Sequence, residues 1–310
     1  MTTNVDPTLR GLAAGQRGMF TAAQARSLGV SALVLERLVR EVQLLHPGRG
    51  LYAVTEDVDQ EPEAWHRHLC AGAHLLYDDA SLTSGSAALA HDLPVWGVDL
   101  RRPDLHRPVD RAVGVKAFRV RPRPTNPFRP APVTTRLGTA DGVATALVQL
   151  ALDHGPVAGS VSADHALHVG KVTMDQLTDA ASLVASWPGS SRVRAMLGFV
   201  DGRSESVGET RCRIELMAHG IQLTPQVPIR EVNGRLVGRV DFLVEGTMVI
   251  VEFDGKVKYA DGDANVLWDE KRREDRLRAL GYIVLRITWA DLERPGAAIA
   301  KVRRALALAA

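Results

Sequence analysis

The chain has 310 residues, 45% hydrophobic and 24% charged, with a formal net charge of only +2. That length exceeds one ordinary core, so two or three domains are expected in a soluble globular protein. The near-neutral balance excludes a global field that would demand nucleic acid, so any basic surface has to be local. Two cysteines, Cys70 and Cys212, exclude a disulfide framework or a four-cysteine zinc site and predict a reducing, cytoplasmic setting. The opening Met1-Thr2-Thr3-Asn4-Val5-Asp6 predicts no signal peptide, and no apolar run reaches the length of a membrane span, so no membrane partner is expected.

Residues 1–56 are expected to form a winged helix-turn-helix. Thr21 is placed to cap a helix through Leu28, with Gln24 completing a capping box and Gly29 ending it. Ser31 caps a second helix to about Glu41, whose apolar stripe is Leu35, Leu38, Val39 and Val42. The stretch from Leu44 to Val54 then predicts two short strands about the Pro47-Gly48 turn. Such units set the second helix in the major groove and the wing near the backbone, which makes Arg37, Arg40 and Arg49 the candidate DNA contacts. Those cations are a thin electrostatic footprint, and a small packing module is the competing reading.

Residues 57–200 form the predicted mixed middle domain. A helix is expected over 61–77, aligning His66, Cys70 and His74 along one side, and a shorter one over Ser84–Ala90. That His/Cys alignment matches no closed zinc pattern, and an amphipathic helix with half-buried histidines is the expectation. Between Arg101 and Arg136 ten cations face only Asp104 and Asp110, a local net charge of +8, among seven prolines. Proline at that density predicts edge strand and turn, with the charge either following a phosphate backbone or simply solvated. Helices are expected over Thr139–His154, Ser160–Val169 and Thr173–Ser186.

Residues 201–310 carry the chemistry. Ser206 to Glu209 reads as a capping box heading a helix to His219, followed by a strand over Val227–Val232 and an Asn233-Gly234 turn. A hairpin then alternates Val240, Phe242 and Val244 with Asp241 and Leu243, and Val249, Val251 and Phe253 with Ile250, Glu252 and Asp254. A four-residue turn from Glu245 to Met248 sets Asp241 opposite Glu252 and diagonal to Asp254, with Lys256 on the same face as the last two. Carboxylates that close repel unless a cation or proton joins them, and their hard oxygens suit Mg²⁺, with Mn²⁺ as a substitute. A charged helix over Val266–Leu280 capped by Gly281, a strand over Tyr282–Ile287 and a helix over Asp291–Leu308 complete an α, three strands, α, strand, α order. The charged helix carries Arg272 and Arg276, which are candidates for flanking phosphates, although Asp269, Glu270, Glu274 and Asp275 can neutralise its cations.

That order, with Arg239-x-Asp241, Glu252-x-Asp254-Gly255-x-x-Lys258 and the tail from Glu274 to Arg286, resembles the restriction-endonuclease-like PD-(D/E)xK nucleases over about residues 203–292. Within them it is similar to relatives of very-short-patch repair endonucleases, without their structural zinc cysteines. The resemblance implies a Mg²⁺-dependent DNA endonuclease. Asp241 would be the central metal ligand, with Glu252 and Asp254 competing for the second place, Lys256 orienting the water and Glu209 turned toward the site. Relatives carry His at the position of Lys258, which leaves the general base open between these groups. The head resembles abortive-infection, type IV toxin–antitoxin antitoxins through Phe20-Thr21-x-x-Gln24-Ala25, Gly48-x-Gly50-x-Tyr52 and Ser84-x-Ser86-Ala87-Ala88. The whole is thus expected to be a multidomain α/β protein acting on DNA, compatible with a homodimer and with a toxin or repair partner. The alternative is an antitoxin-like transcriptional regulator that keeps an inactive nuclease fold.

Overall fold

The computed structural model describes residues 4–126, 129–255 and 264–309. It is mixed α/β and divides into two compact units, residues 1–162 with 172–197, and residues 163–171 with 198–310. The expected Lys256 and Lys258 lie outside the described residues.

The first unit opens with α1 (Pro7–Ala14), β1 (Met19–Thr21), α2 (Ala22–Ser27), α3 (Ala32–Arg40), β2 (Leu44–Gly48) and β3 (Leu51–Val54). The capping box at Thr21 and Gln24 forms as the sequence predicts, and Ser31 Oγ accepts from the Val34 amide to start α3. The three strands pair in the order β1-β3-β2, so the wing is a three-stranded sheet rather than a bare hairpin. Leu9, Phe20, Leu35, Leu38 and Leu44 form the buried interior of this head.

The head shares a second core with the residues that follow it. Met19, Leu51 and Ala53 pack with Leu69, Ala73, Leu82, Leu105 and Phe118, so β1 and β3 are buried on both faces. Further elements are α4 (Pro62–Leu76), β4 (Ser81–Leu82), α5 (Ser84–Ala90), β5 (Asp104–Arg107), β6 (Val113–Gly114), β7 (Arg119–Pro122), β8 (Val133–Thr135) and β9 (Gly138–Ala140). The short strands among the prolines pair as β6-β7-β5-β4-β9-β8. Helices α6 (Val143–His154), α7 (Pro156–His168), α8 (Met174–Ser182) and α9 (Ser190–Phe199) follow. The fold departs from expectation where Thr139 lies in β9 rather than in a helix, and at α1 and α9, which have no counterpart among the predicted elements.

The second unit is built on α10 (Val207–Ala218), β10 (Leu223–Arg230), β11 (Leu236–Val244), β12 (Val249–Asp254), α11 (Ala264–Ala279), β13 (Ile283–Thr288), α12 (Trp289–Glu293) and α13 (Ala297–Ala309). The sheet runs β10-β11-β12-β13, antiparallel except for the parallel β12–β13 pair, which α11 connects. Each face has its own apolar cluster. Cys212 and Leu216 of α10 pack with Phe242, Val249, Val251 and Val302 on one side, and Leu277 of α11 packs with Ile229, Val237 and Ile250 on the other. Both faces being covered explains why Val249, Ile250 and Val251 are buried in succession. Asp164, inside this unit, accepts from Arg213 (2.6 Å), Thr210 Oγ1 (2.8 Å) and the Asp201 amide (2.8 Å), a fully bonded buried pair.

Candidate functional site

The carboxylates gather where the β11–β12 ladder gives out. Phe242 pairs with Val251 and Leu243 with Ile250. One residue further in that register Asp241 faces Glu252, and there Asp241 Oδ2 accepts the Phe253 amide at 2.7 Å. A side chain therefore satisfies the backbone donor while β12 continues its pairing with β13 as far as Asp254↔Thr288. Asp241, Glu252 and Asp254 line a cleft of about 210 Å³ together with Arg239, Glu270, Arg273 and Arg286.

Glu252 is largely buried, and burial pushes its carboxyl above the ordinary glutamate value, with the charge of Asp241 adding to the rise. Arg273 of α11 opposes that shift: its guanidinium bonds Glu252 and also donates to the Arg239 carbonyl at 3.0 Å. The approach depends on Gly238, where an added Cβ would lie 2.6 Å from Arg273 Nε. Arg286, opposite Glu252 on β13, pairs with Glu270 (2.8 Å) and Glu274 (3.0 Å) of the same helix. The face of α11 toward the sheet is thus an ion-pair lattice. Of the two helix cations expected to meet phosphates, Arg272 is exposed, and Arg276 is half-buried with Nε directed to the Arg272 carbonyl at 3.4 Å.

Glu209 lies in the first turn of α10, and its capping geometry differs from the expected box. Ser206 Oγ accepts the Glu209 amide (3.1 Å), but the Glu209 carboxylate accepts from the Glu205 amide (2.9 Å), Ser206 Oγ (2.8 Å) and Gln226 Nε2 (3.1 Å). It lines a neighbouring cleft of about 360 Å³ with Gly208, Phe253, Gly255 and Trp289. Phe253 and Gly255 belong to both clefts. Phe253 lies directly over Gly208 and meets Trp289 edge-on at 5.0 Å. Gln226 has no place among the sequence candidates because a lone glutamine in a strand carries no pattern; its signal is conformational.

In the head, Arg37, Arg40 and Arg49 are all exposed, but Arg37 is engaged by Glu41 at 3.0 Å. His46 stacks on Tyr52 at 4.7 Å, and Gly48 of the wing abuts Ala117. Five of the ten cations of the basic middle segment are held in ion pairs. Arg119 and Arg121 both bond the buried Asp104, Arg107 bonds Asp79, Arg129 bonds Asp141, and Arg101 bonds Asp99. The partners that the sequence does not announce lie outside the segment, at Asp79, Asp99, Asp141 and Asp153. His66 is buried with its two nitrogens on the Leu100 carbonyl (2.8 Å) and Ser86 Oγ (2.9 Å), and burial pushes the Cys70 thiol up. Among the described residues no three His, Cys, Asp or Glu side chains gather as a metal cage, here or at the hairpin. Nor is any described helix long and apolar enough to cross a membrane.

The head therefore has a helix-turn-helix and a winged sheet. Residues 8–55 match the family model described as "Transcriptional regulator, AbiEi antitoxin". Over 145 residues the chain is 30% identical to the uncharacterized protein Rv2248 of Mycobacterium tuberculosis (strain ATCC 25618 / H37Rv), covering 46% of this chain and 52% of the relative. The uncharacterized protein MT2308 of strain CDC 1551 / Oshkosh matches with the same identity and coverage. The chain spans about half the length of these curated relatives.

Proposed function

We propose that this chain is a DNA-binding regulator of the antitoxin type, its winged head docking on duplex DNA through α3 and the wing. The observation that carries this reading is the match of residues 8–55 to an antitoxin transcriptional-regulator family, on a segment that folds as helix-turn-helix and winged sheet. Arg40 and Arg49, with Arg37 once it leaves Glu41, would meet phosphates. A homodimer would read two half-sites about one helical turn apart, and a toxin or a repair protein is the partner such a regulator would serve. A cytoplasmic location fits two free, buried cysteines. The test is binding of the full chain to duplex DNA across a salt series. Affinity should fall steeply with salt, and Arg37→Ala, Arg40→Ala and Arg49→Ala together should flatten the log–log slope by about 0.9 for each phosphate no longer neutralised. Binding indifferent to all three replacements rejects a DNA-reading head.

A second reading, a Mg²⁺-dependent DNA endonuclease in residues 201–310, is favoured by a specific observation: Asp241 faces Glu252 in a polar cleft beside Asp254, and burial raises the proton affinity of Glu252. The donor set fits Mg²⁺, which binds through one or two carboxylates and keeps several waters, and needs no three-ligand cage. Asp241 and Glu252 or Asp254 would hold it, and the ion would supply Lewis acidity and a more acidic bound water. Arg272 and Arg276 would steady flanking phosphates, Glu209 would face the site from α10, and Lys256 and Lys258 keep the water-orienting and phosphate-binding roles their motif implies. Calorimetry with Mn²⁺ should register binding that Asp241→Ala abolishes, and plasmid cleavage should require Mg²⁺ or Mn²⁺ and stop with EDTA. Equal Mn²⁺ affinity in wild type and variant removes the hairpin from consideration as a metal site.

A further inference from the structure

Gln226 has a backbone that its residue type does not favour. Among the described residues of the second unit it is the non-glycine residue with positive φ, at +57°, a conformation in which Cβ crowds the following carbonyl and which glycine would adopt freely. β10 pairs Pro225 with Phe242 and Val227 with Val240, so Gln226 stands across from Asp241 but is itself missing from the ladder. Strain of this kind persists where the surroundings impose it, and it concentrates at functional sites.

The left-handed turn delivers one visible interaction, the bond from Gln226 Nε2 to Glu209 Oε2 at 3.1 Å. Capping α10 does not require it, because Ser206 Oγ already accepts the Glu209 amide. The carboxylate already has two further donors, the Glu205 amide and Ser206 Oγ, so the amide adds direction to a group that is satisfied without it. The direction concerns the hairpin cleft. Glu209 lines a cleft that shares Phe253 and Gly255 with the cleft of Asp241, Glu252 and Asp254. Glu205, whose amide holds Glu209, is ion-paired to Arg239 of that second cleft at 2.6 Å.

We propose that Gln226 is a positioning residue, whose strained backbone carries the amide that fixes Glu209 as an outer carboxylate of the Asp241–Glu252 cation site. This rests on the endonuclease reading. Its physical content is that stability and metal affinity are set against each other at this position: a residue that relaxes the backbone releases Glu209.

The test uses the full chain with Mn²⁺ as probe and compares wild type, Gln226→Gly, Gln226→Asn and Asp241→Asn by calorimetry and urea unfolding. Gln226→Gly removes both strain and amide. Gln226→Asn tolerates the left-handed conformation, but its amide is one methylene short of Glu209. Both should keep or raise the urea midpoint while Mn²⁺ affinity falls about tenfold, the range for groups that orient metal ligands. Unchanged Mn²⁺ affinity in both variants overturns the proposal. So does a loss of affinity accompanied by a lower midpoint in both, which marks a packing residue only. The underlying reading fails separately, and takes the proposal with it, if wild type binds no Mn²⁺ or if Asp241→Asn binds as wild type does. Wild-type binding that Asp241→Asn removes and Gln226→Gly leaves intact rejects Gln226 alone.

Discussion

Replacing Arg273 with alanine isolates the electrostatics of the cleft. The side chains of Glu252 and Arg273 are 13% and 28% exposed, so the pair lies in a partly desolvated setting. Two unit charges about 4 Å apart attract by about 4 kcal/mol at an effective dielectric near 20. Removing one partner of a buried pair costs about 3–5 kcal/mol, since the survivor stays charged and poorly solvated. More than a quarter of Arg273 still meets water, and that screening puts the expected cost at about 2–3 kcal/mol at neutral pH. The pH dependence fixes the sign. Burial raises the folded-state affinity of Glu252 for a proton above its ordinary value of 4.5. A carboxyl raised in this way contributes stability that is fully present below the unfolded value and lost as pH climbs through the folded one. Arg273 opposes the rise, so its removal should deepen that loss and carry it to higher pH. Urea unfolding at several pH values should therefore find wild type and variant close together in acid and diverging upward from the ordinary glutamate value. Added Mn²⁺ should bind the variant more tightly, because no guanidinium competes for Glu252. A cost under about 0.5 kcal/mol, the level of an ordinary surface substitution, and independent of pH would refute this account.

Two further substitutions probe what holds the site. Gly208→Ala would set a Cβ 1.9 Å from Phe253 Cε1 and 2.3 Å from Cζ, against a ring that also meets Trp289 edge-on at 5.0 Å. Overpacking at that distance costs about 1–3 kcal/mol and alanine's helix propensity offsets about 1 kcal/mol of it, so a net loss of up to about 2 kcal/mol, read from the urea midpoint, is the expected outcome; a net gain would mean the ring moves freely. Asp164→Ala strands the Arg213 guanidinium, whose side chain is 3% exposed, and should cost about 3–5 kcal/mol. A shift within the range of surface mutations would mean that the Phe199 carbonyl and Ser204 hydroxyl suffice for that charge.

Local chemistry is legible in the sequence and long-range partnership is not. Thr21, Ser31 and Ser206 cap the helices their positions predict, because a cap is decided within four residues. The hairpin register that brings Asp241 opposite Glu252 follows from alternation and turn length, both local. The basic stretch from Arg101 to Arg136 misleads for the opposite reason. Its net charge counts only residues within it, whereas Asp99 sits just before it and Asp79, Asp141 and Asp153 arrive beside β4, beside β9 and in α6. The Ala-rich sequence after Thr139 predicts a helix there, yet pairing with Thr134 in β8 holds it in a strand. The partnership of Gln226 and Glu209 joins a strand to a helix start seventeen residues earlier, and no periodicity announces it.

The same ion pairs that hold the cleft together also frame the choice between regulator and enzyme. Clustered carboxylates on a buried strand would be a liability in a binding-only fold, since like charges at that distance demand a counter-ion. Here Arg273 meets it at Glu252, and the neighbouring Glu270, Glu274 and Glu205 are paired with Arg286 and Arg239. A regulator could rest in that state indefinitely. An enzyme would have to give part of it up, because Arg273 engages Oε1 of Glu252, one of the two oxygens a cation would use. In the endonuclease reading Mn²⁺ and Arg273 would therefore compete for one carboxylate, and an Arg273 displaced from Glu252 could meet a phosphate. That competition has a sign that stability alone does not. Tighter Mn²⁺ binding by Arg273→Ala together with weaker DNA binding would mark an arginine that moves between the two. An arginine that only packs would lose stability and leave both affinities unchanged.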